Sequence, residues 1–138
     1  DVGSAVLIHS EKGSVRAEHW HRKDAHWCFL LSGSLLYMER PVGSDELPKV
    51  TTVIAGQLFF TPPNVEHSMV FREASTFLTF SRPRFDRSKA SYEKDLVRLE
   101  KKLSEIPMIR ATYIDPPATA QMMSRPDVAE VPVGGPQA

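Results

Sequence analysis

The sequence predicts an all-β barrel that ends in one α-helix and an extended tail. Three observations carry this. From residue 1 to about 85 the chain is a succession of short β-rich runs separated by turn residues. No helix-period segment interrupts them, which favours an antiparallel sandwich or barrel. After Asp86 the apolar period changes from two to between three and four.

Taken in order, residues 2–9 form a β-rich run that the turn Glu11-Lys12-Gly13-Ser14 ends, and residues 15–21 alternate. The polar turn Arg22-Lys23-Asp24-Ala25 follows. Residues 27–31 are apolar and run into Ser32-Gly33-Ser34, a hairpin signal whose partner strand is residues 35–40. A polar loop over 41–48 leads to the β-branched run 50–54, the turn Ala55-Gly56 and the short run 58–61. Pro62-Pro63-Asn64 breaks the chain before the last two strands, 66–71 and 76–81.

In residues 86–106, Tyr92, Leu96, Leu99, Leu103 and Ile106 recur at helical spacing with charged residues between them. Ser88 or Asp86 is placed to cap the start. This stripe suits either packing on the outside of the barrel or a helix-to-helix contact with a second copy. Residues 107–138, with Pro116, Pro117, Pro126, Pro132, Pro136 and Gly134-Gly135, read as a tail or linker without its own core. The expected division is therefore a barrel over 1–85, a helix over 86–106 and a Pro-rich tail over 107–138.

The 138 residues make one domain the natural count. Lys plus Arg equals Asp plus Glu at 17 each, so the chain lacks the basic excess that nucleic acid or an anionic membrane selects. Cys28 is the single cysteine, so no intramolecular disulfide forms and a reducing cytoplasm is expected. No apolar run approaches the roughly 20 residues of a membrane span, and no signal-peptide pattern opens the chain. The first residue, Asp1, marks either a trimmed chain or a segment of a longer polypeptide.

Four of the five histidines fall in two short motifs. In His19-Trp20-His21 the imidazoles lie two apart on a strand, so both face the same side. His26 opens the next strand after a tight turn, and Gly56 with Pro62-Pro63-Asn64-Val65-Glu66-His67 delivers a fourth imidazole. Neutral imidazole is a common ligand of transition metals. The expected ligands are His19, His21, His26 and His67, around one divalent ion such as Zn, Fe, Ni or Mn. His9 lies outside both motifs. Alternation places Cys28 on the side of His26, either near the metal or as a small buried hydrophobe. Met69 and Phe71 follow His67 inward and offer an apolar wall. Trp20 and Trp27 turn to the opposite side, suited to the outer sheet face or a dimer interface. Tyr37 is a proton donor if it points inward and a half-buried strand aromatic if it does not. Glu66 points away from the metal.

Residues 13–71 resemble a cupin, a double-stranded β-helix barrel with two metal-binding motifs. The first motif, His-x-His, four residues, Glu, six residues, Gly, is matched by His19, His21 and Gly33, with His26 where Glu is usual. The second, Gly, five residues, Pro-x-Gly-x-x-His, three residues, Asn, is matched by Gly56, Pro62 and His67; Asn64 and Phe71 replace its second Gly and its Asn. The resemblance implies a cupin barrel and a bound metal. With His26 as ligand, four neutral imidazoles leave the full charge on the ion; with His26 turned away, a three-histidine site keeps open positions. Pairing as a homodimer is also implied, since cupins commonly associate through their outer sheets.

Arg16-Ala17-Glu18-His19-Trp20-His21-Arg22 is also similar to the Arg-x-x-His-x-His-Lys segment of the nucleotide-sugar ketoisomerase cupins. That similarity implies an isomerase or epimerase of a nucleotide-linked sugar, with His19 and His21 as acid and base, Arg16 holding the substrate and Tyr37 as a further proton donor. Two alternatives stay open: an Fe(II)-dependent dioxygenase, and a non-catalytic cupin that binds a small-molecule ligand.

Overall fold

The structure, a computed structural model, describes residues 2–83 and 88–117. Eight strands follow one another as expected: β1 (Ser4–Ser10), β2 (Val15–His21), β3 (His26–Ser32), β4 (Ser34–Pro41), β5 (Lys49–Ile54), β6 (Leu58–Thr61), β7 (Val65–Phe71) and β8 (Ser75–Ser81). After them come α1 (Lys89–Asp95) and β9 (Leu96–Arg98). All pairings are antiparallel. One sheet has the order β1-β8-β3-β6 and the other β5-β4-β7-β2-β9.

Between the sheets, inward side chains grade from polar to apolar along each strand. On β3 the series is His26, Cys28, Leu30; on β7 it is His67, Met69, Phe71. The apolar end is the core, where Leu30, Leu35, Tyr37, Val53, Phe71 and Phe77 are buried with Cys28. Burying each large side chain contributes about 1.5–3 kcal/mol, so this end anchors the barrel and leaves the other end free for polar chemistry. Gly33 makes the β3–β4 turn with φ +91, and a Cβ there would lie 2.1 Å from Ser75 Oγ. No other residue type fits both demands.

Two expectations are corrected. The helix expected over 86–106 is realised only as α1. Ser88 caps it, its Oγ accepting from Ser91 N at 3.1 Å, while Asp86 and residues 84–87 lie outside the described residues. At Leu96 the backbone turns extended (φ −85, ψ 130), and β9 pairs with β2 at His19↔Arg98, Trp20↔Val97 and His21↔Leu96. The edge of β2 offers a row of unsatisfied peptide groups, and closing that row outweighs the helix propensity of Leu96 and Arg98. For the same reason the sheet does not end at residue 85: β9 belongs to it, and residues 1–104 form one compact unit.

The second unit begins at Glu105. Its described part holds a helical turn at Pro107–Ile109 and a wider turn at Arg110–Ile114, closed by an Arg110–Asp115 ion pair. Of the tail expected over 107–138, residues 107–114 thus form helical turns, and residues 118–138 lie outside the described residues.

Candidate metal centre

β2 carries the first two imidazoles through an irregularity that simple alternation does not contain. Ala17 and Glu18 both have positive φ, 69° and 58°, and the β2–β7 register shifts between Ala17 and His19. This bulge sets His19 opposite His67, and the i, i+2 spacing then carries His21 inward beside it. The β7 side is prepared by Asn64, whose φ of 61° is a left-handed conformation that Asn tolerates. Asn64 stands where the cupin motif has Gly, and its N–H donates to His21 O at 2.8 Å.

The structure brings His19, His21 and His67 together, with one donor nitrogen of each within 4.8 Å of the others. His26 lies beside His21, ring centroids 4.6 Å apart, and forms a second possible group with His21 and Asp24. The four imidazoles are thus contiguous: three face one point, and His26 joins through His21. Tetrahedral metal–nitrogen bonds of about 2.0–2.1 Å set ligand nitrogens roughly 3.4 Å apart, so the donors need to close by at most about 1.4 Å.

The hydrogen bonds around the rings fit a metal. His21 Nδ1 donates to Asp95 Oδ2 at 3.0 Å, and His67 Nδ1 donates to Val65 O at 3.0 Å. With Nδ1 carrying the proton in both, each Nε2 keeps its lone pair, which is how metal-binding histidines are oriented. Burial first, and then the neighbouring His67 and His21 rings together with Arg98, push His19 down to about 3. Burial likewise pushes His67 down to about 4, with His21 and His26 adding to it. Both rings are therefore neutral at neutral pH, the form that ligates.

Asp95 and Glu18 are the groups that sequence reasoning missed. Asp95 ends α1; its Oδ1 accepts from Lys23 N at 2.7 Å and from Asp24 N at 3.4 Å. Burial alone would raise its pKa, but the Lys23 amide and His21 outweigh it and hold the carboxyl below the ordinary range. Glu18, buried on the outer side of β2, accepts from Ser68 Oγ at 2.9 Å, Leu103 N at 2.8 Å, Ser104 N at 3.2 Å and Ser104 Oγ. It fastens the 103–104 turn to the strand that bears His19.

A cavity of about 240 Å³ opens at the histidines. Cys28, Phe59, Met69 and Phe77 wall it on the apolar side, and Thr61 and Tyr92 bring hydroxyls. The Cys28 thiol is pushed up to about 12 by burial, so it is a protonated, unreactive wall residue. Arg16 also lines the cavity, tied to Ser10 Oγ and His9 O. Tyr37 does not: it is buried against Phe59, its hydroxyl bonded to Thr61 Oγ1 at 2.6 Å, with burial raising its pKa. Its expected proton-donor role loses direct access to the cavity. His9 is exposed and bonds Thr76 Oγ1, and Glu66 turns away to pair with Arg40 at 3.0 Å. A larger hollow of about 650 Å³, lined by Arg22, Lys23, Arg82 and Lys94 among others, has no histidine among its described lining residues.

Comparison with known proteins bears on the fold. No protein-family model matches the chain. It is 28% identical over 89 residues to an oxalate decarboxylase of Arthroderma benhamiae, which covers 63% of this chain and 20% of that protein. Among solved structures it is similar to the capsular polysaccharide assembling protein CapF of Staphylococcus aureus (TM-score 0.63, 20% identity, 73% of this chain and 28% of that one). It is also similar to QdtA, a sugar 3,4-ketoisomerase from Thermoanaerobacterium thermosaccharolyticum solved with TDP (TM-score 0.58, 20% identity, 72% of this chain and 69% of that one). The chain thus spans about a fifth of the curated relative and under a third of CapF. These likenesses define the class: the chain is a cupin-fold protein, a double-stranded β-helix barrel. Within that class it is one with a histidine group able to hold a metal ion. No described helix is long and apolar enough to cross a membrane.

Proposed function

We propose that the protein binds one divalent transition metal through His19, His21 and His67, with His26 as the fourth imidazole, and isomerises a small polar substrate, a nucleotide-linked keto-sugar. The observation that carries the metal reading is the grouping of His19, His21 and His67, with the Nδ1–H bonds of His21 to Asp95 and of His67 to Val65 leaving Nε2 of both rings to ligate. When bound, the metal would polarise a substrate carbonyl and acidify the neighbouring C–H. The sugar reading is supported by the Arg16–Arg22 segment and by the shared fold with a sugar ketoisomerase that covers most of both chains. At about 240 Å³ the cavity is smaller than a drug-sized site of roughly 300–1,000 Å³, so the sugar ring enters and the nucleotide stays at the mouth. There Arg16 supplies positive charge, and Thr61 and Tyr92 supply hydroxyl partners for the ring.

Ligation and proton transfer draw on the same lone pairs of His19 and His21. Metal loading assigns those residues to ligation, whereas a metal-free active protein assigns them to proton transfer. Metal content of the purified protein by plasma mass spectrometry, beside a His19→Ala/His67→Ala variant, separates the two. About one metal per chain, lost in the variant, supports the reading; no metal as purified and none after reconstitution overturns it. Iron accompanied by oxygen uptake would move the protein to the oxygenases. In the cell the protein is proposed to act as a homodimer.

A further inference from the structure

Two sets of donors meet at the polar end of the barrel, and His21 belongs to both. One is the all-imidazole set of His19, His21 and His67. The other is His21, Asp24 and His26, again with one donor atom of each within 4.8 Å of the others. This second set contains a carboxylate, and Asp24 belongs to neither histidine motif. It sits in the short turn between β2, which ends at His21, and β3, which starts at His26. That turn is held on several sides. Ala25 is buried, Arg22 N donates to Asp95 O at 2.9 Å, and the Asp95 side chain accepts from Lys23 N and Asp24 N. Asp95 also fixes His21 through Nδ1, so one residue positions two of the three donors in the second set. Asp24 Oδ2 and His26 Nε2 are both shielded from solvent, where their attraction for a cation is least weakened by water.

We propose that His21, Asp24 and His26 form a second metal seat, suited to a harder divalent cation such as Mn(II). The inference deepens the metal reading above and rests on it. Donor chemistry separates the two seats. Neutral imidazoles leave the charge of the ion uncompensated and suit zinc, nickel or copper, whereas a carboxylate oxygen cancels one charge and suits manganese. Two imidazoles and one carboxylate also leave coordination positions open. The seats exclude one another. With Nδ1–H bonded to Asp95, His21 keeps a single ring lone pair, on Nε2, so it ligates one ion at a time. The chain therefore holds one metal. The identity of that metal decides whether it lies against His67 on β7 or against Asp24 in the β2–β3 turn.

Titration calorimetry of the metal-free whole chain tests this, with Mn(II) alone and Zn(II) alone, for the wild type and Asp24→Asn. Asparagine keeps the backbone N–H that Asp95 accepts and nearly the same volume, and far-UV circular dichroism checks that the fold is retained. The wild type should bind one ion of either metal. Asp24→Asn should weaken Mn(II) at least about tenfold and Zn(II) less than about threefold, since even groups that only orient ligands are worth tenfold. Pulsed electron paramagnetic resonance of the Mn(II)-loaded wild type counts the imidazole nitrogens at the ion without any variant, and His21 and His26 should be the two it finds. A wild type that takes up neither metal overturns this seat together with the metal reading. Three outcomes overturn the second seat and leave the all-histidine site standing: Zn(II) binding without Mn(II), a loss of Mn(II) affinity no larger than that of Zn(II), or Mn(II) held by three or four imidazoles.

Discussion

Asp95→Asn changes one oxygen into an NH₂ group and should disable a ring nitrogen that it does not touch. The Asp95 carboxylate faces two kinds of donor. Oδ1 accepts from the amides of Lys23 and Asp24, and Oδ2 accepts from His21 Nδ1–H. The backbone amides cannot become acceptors, so an asparagine must turn its carbonyl oxygen to them and its NH₂ to His21. His21 Nδ1 then has to accept, which moves the ring proton to Nε2, the nitrogen left to ligate. Recovering the ligating tautomer means opposing two donors, at a cost of about 1–3 kcal/mol. That is a factor of roughly 5–150 in metal affinity, in line with the loss of other groups that orient ligands. Competition against a chromogenic chelator reads the affinity. Long-range ¹⁵N–¹H correlation on the metal-free protein reads the tautomer, so the second measurement stands even if the wild type binds no metal. An affinity within twofold of wild type, together with a His21 Nε2 that still lacks a proton, would refute this account.

Three further outcomes follow from the same coordinates. Glu18→Gln sets an amide NH₂ among four donors and removes the charge that strengthens the other bonds; it should cost about 3 kcal/mol of stability in urea titration, and a loss under about 0.5 kcal/mol would mean the carboxylate does not hold the 103–104 turn. Gly33→Ala drives a Cβ to within 2.5 Å of Ala74 O at a φ of +91 and should cost at least about 3 kcal/mol or prevent folding; a wild-type melting temperature would contradict the close approach. Folding should also weaken in acid. His19 and His67 hold pKa values of about 3 and about 4 against about 6.5 in an unfolded chain, so below pH 6.5 the unfolded state binds more protons and metal-free stability falls toward pH 4. Equal urea midpoints at pH 7.5 and pH 5 would contradict the burial of these rings.

The strands were legible because each is announced locally. Gly33 and Gly56 punctuate runs whose period is two, and residues 15–21 and 58–61 appear in the structure with the limits their sequence implies. The histidines were legible for the same reason, since His19 and His21 are two residues apart and His67 follows a proline-bearing turn. The apolar stripe from Leu96 to Leu103 misled, because its spacing suits a helix while the open edge of β2 rewards a strand there. Asp95 and Glu18 escaped for a different reason. Nothing local separates Asp95 from Glu93 or Lys94 on a charged helix, or Glu18 from any outward residue of a strand. What distinguishes them is a partner 74 residues away for Asp95 and 85 for Glu18.

These two carboxylates tie the segment after the barrel to the site at both ends. Asp95 reaches from α1 to His21, and Glu18 holds the turn at Leu103 and Ser104 beside His19. Between them β9 pairs with the same stretch of β2, so residues 88–104 brace both histidines of the first motif by side chain and by backbone. A strand that bears two consecutive left-handed residues, Ala17 and Glu18, carries a conformational cost of order 1–3 kcal/mol at each. The four hydrogen bonds to Glu18 offset that cost at the position where it arises. The bulge, its brace and the imidazole beside it therefore form one unit, and a chain cut after β8 would lose the brace while retaining every histidine. Such a chain should bind metal more weakly than the full one even though its donor set is complete.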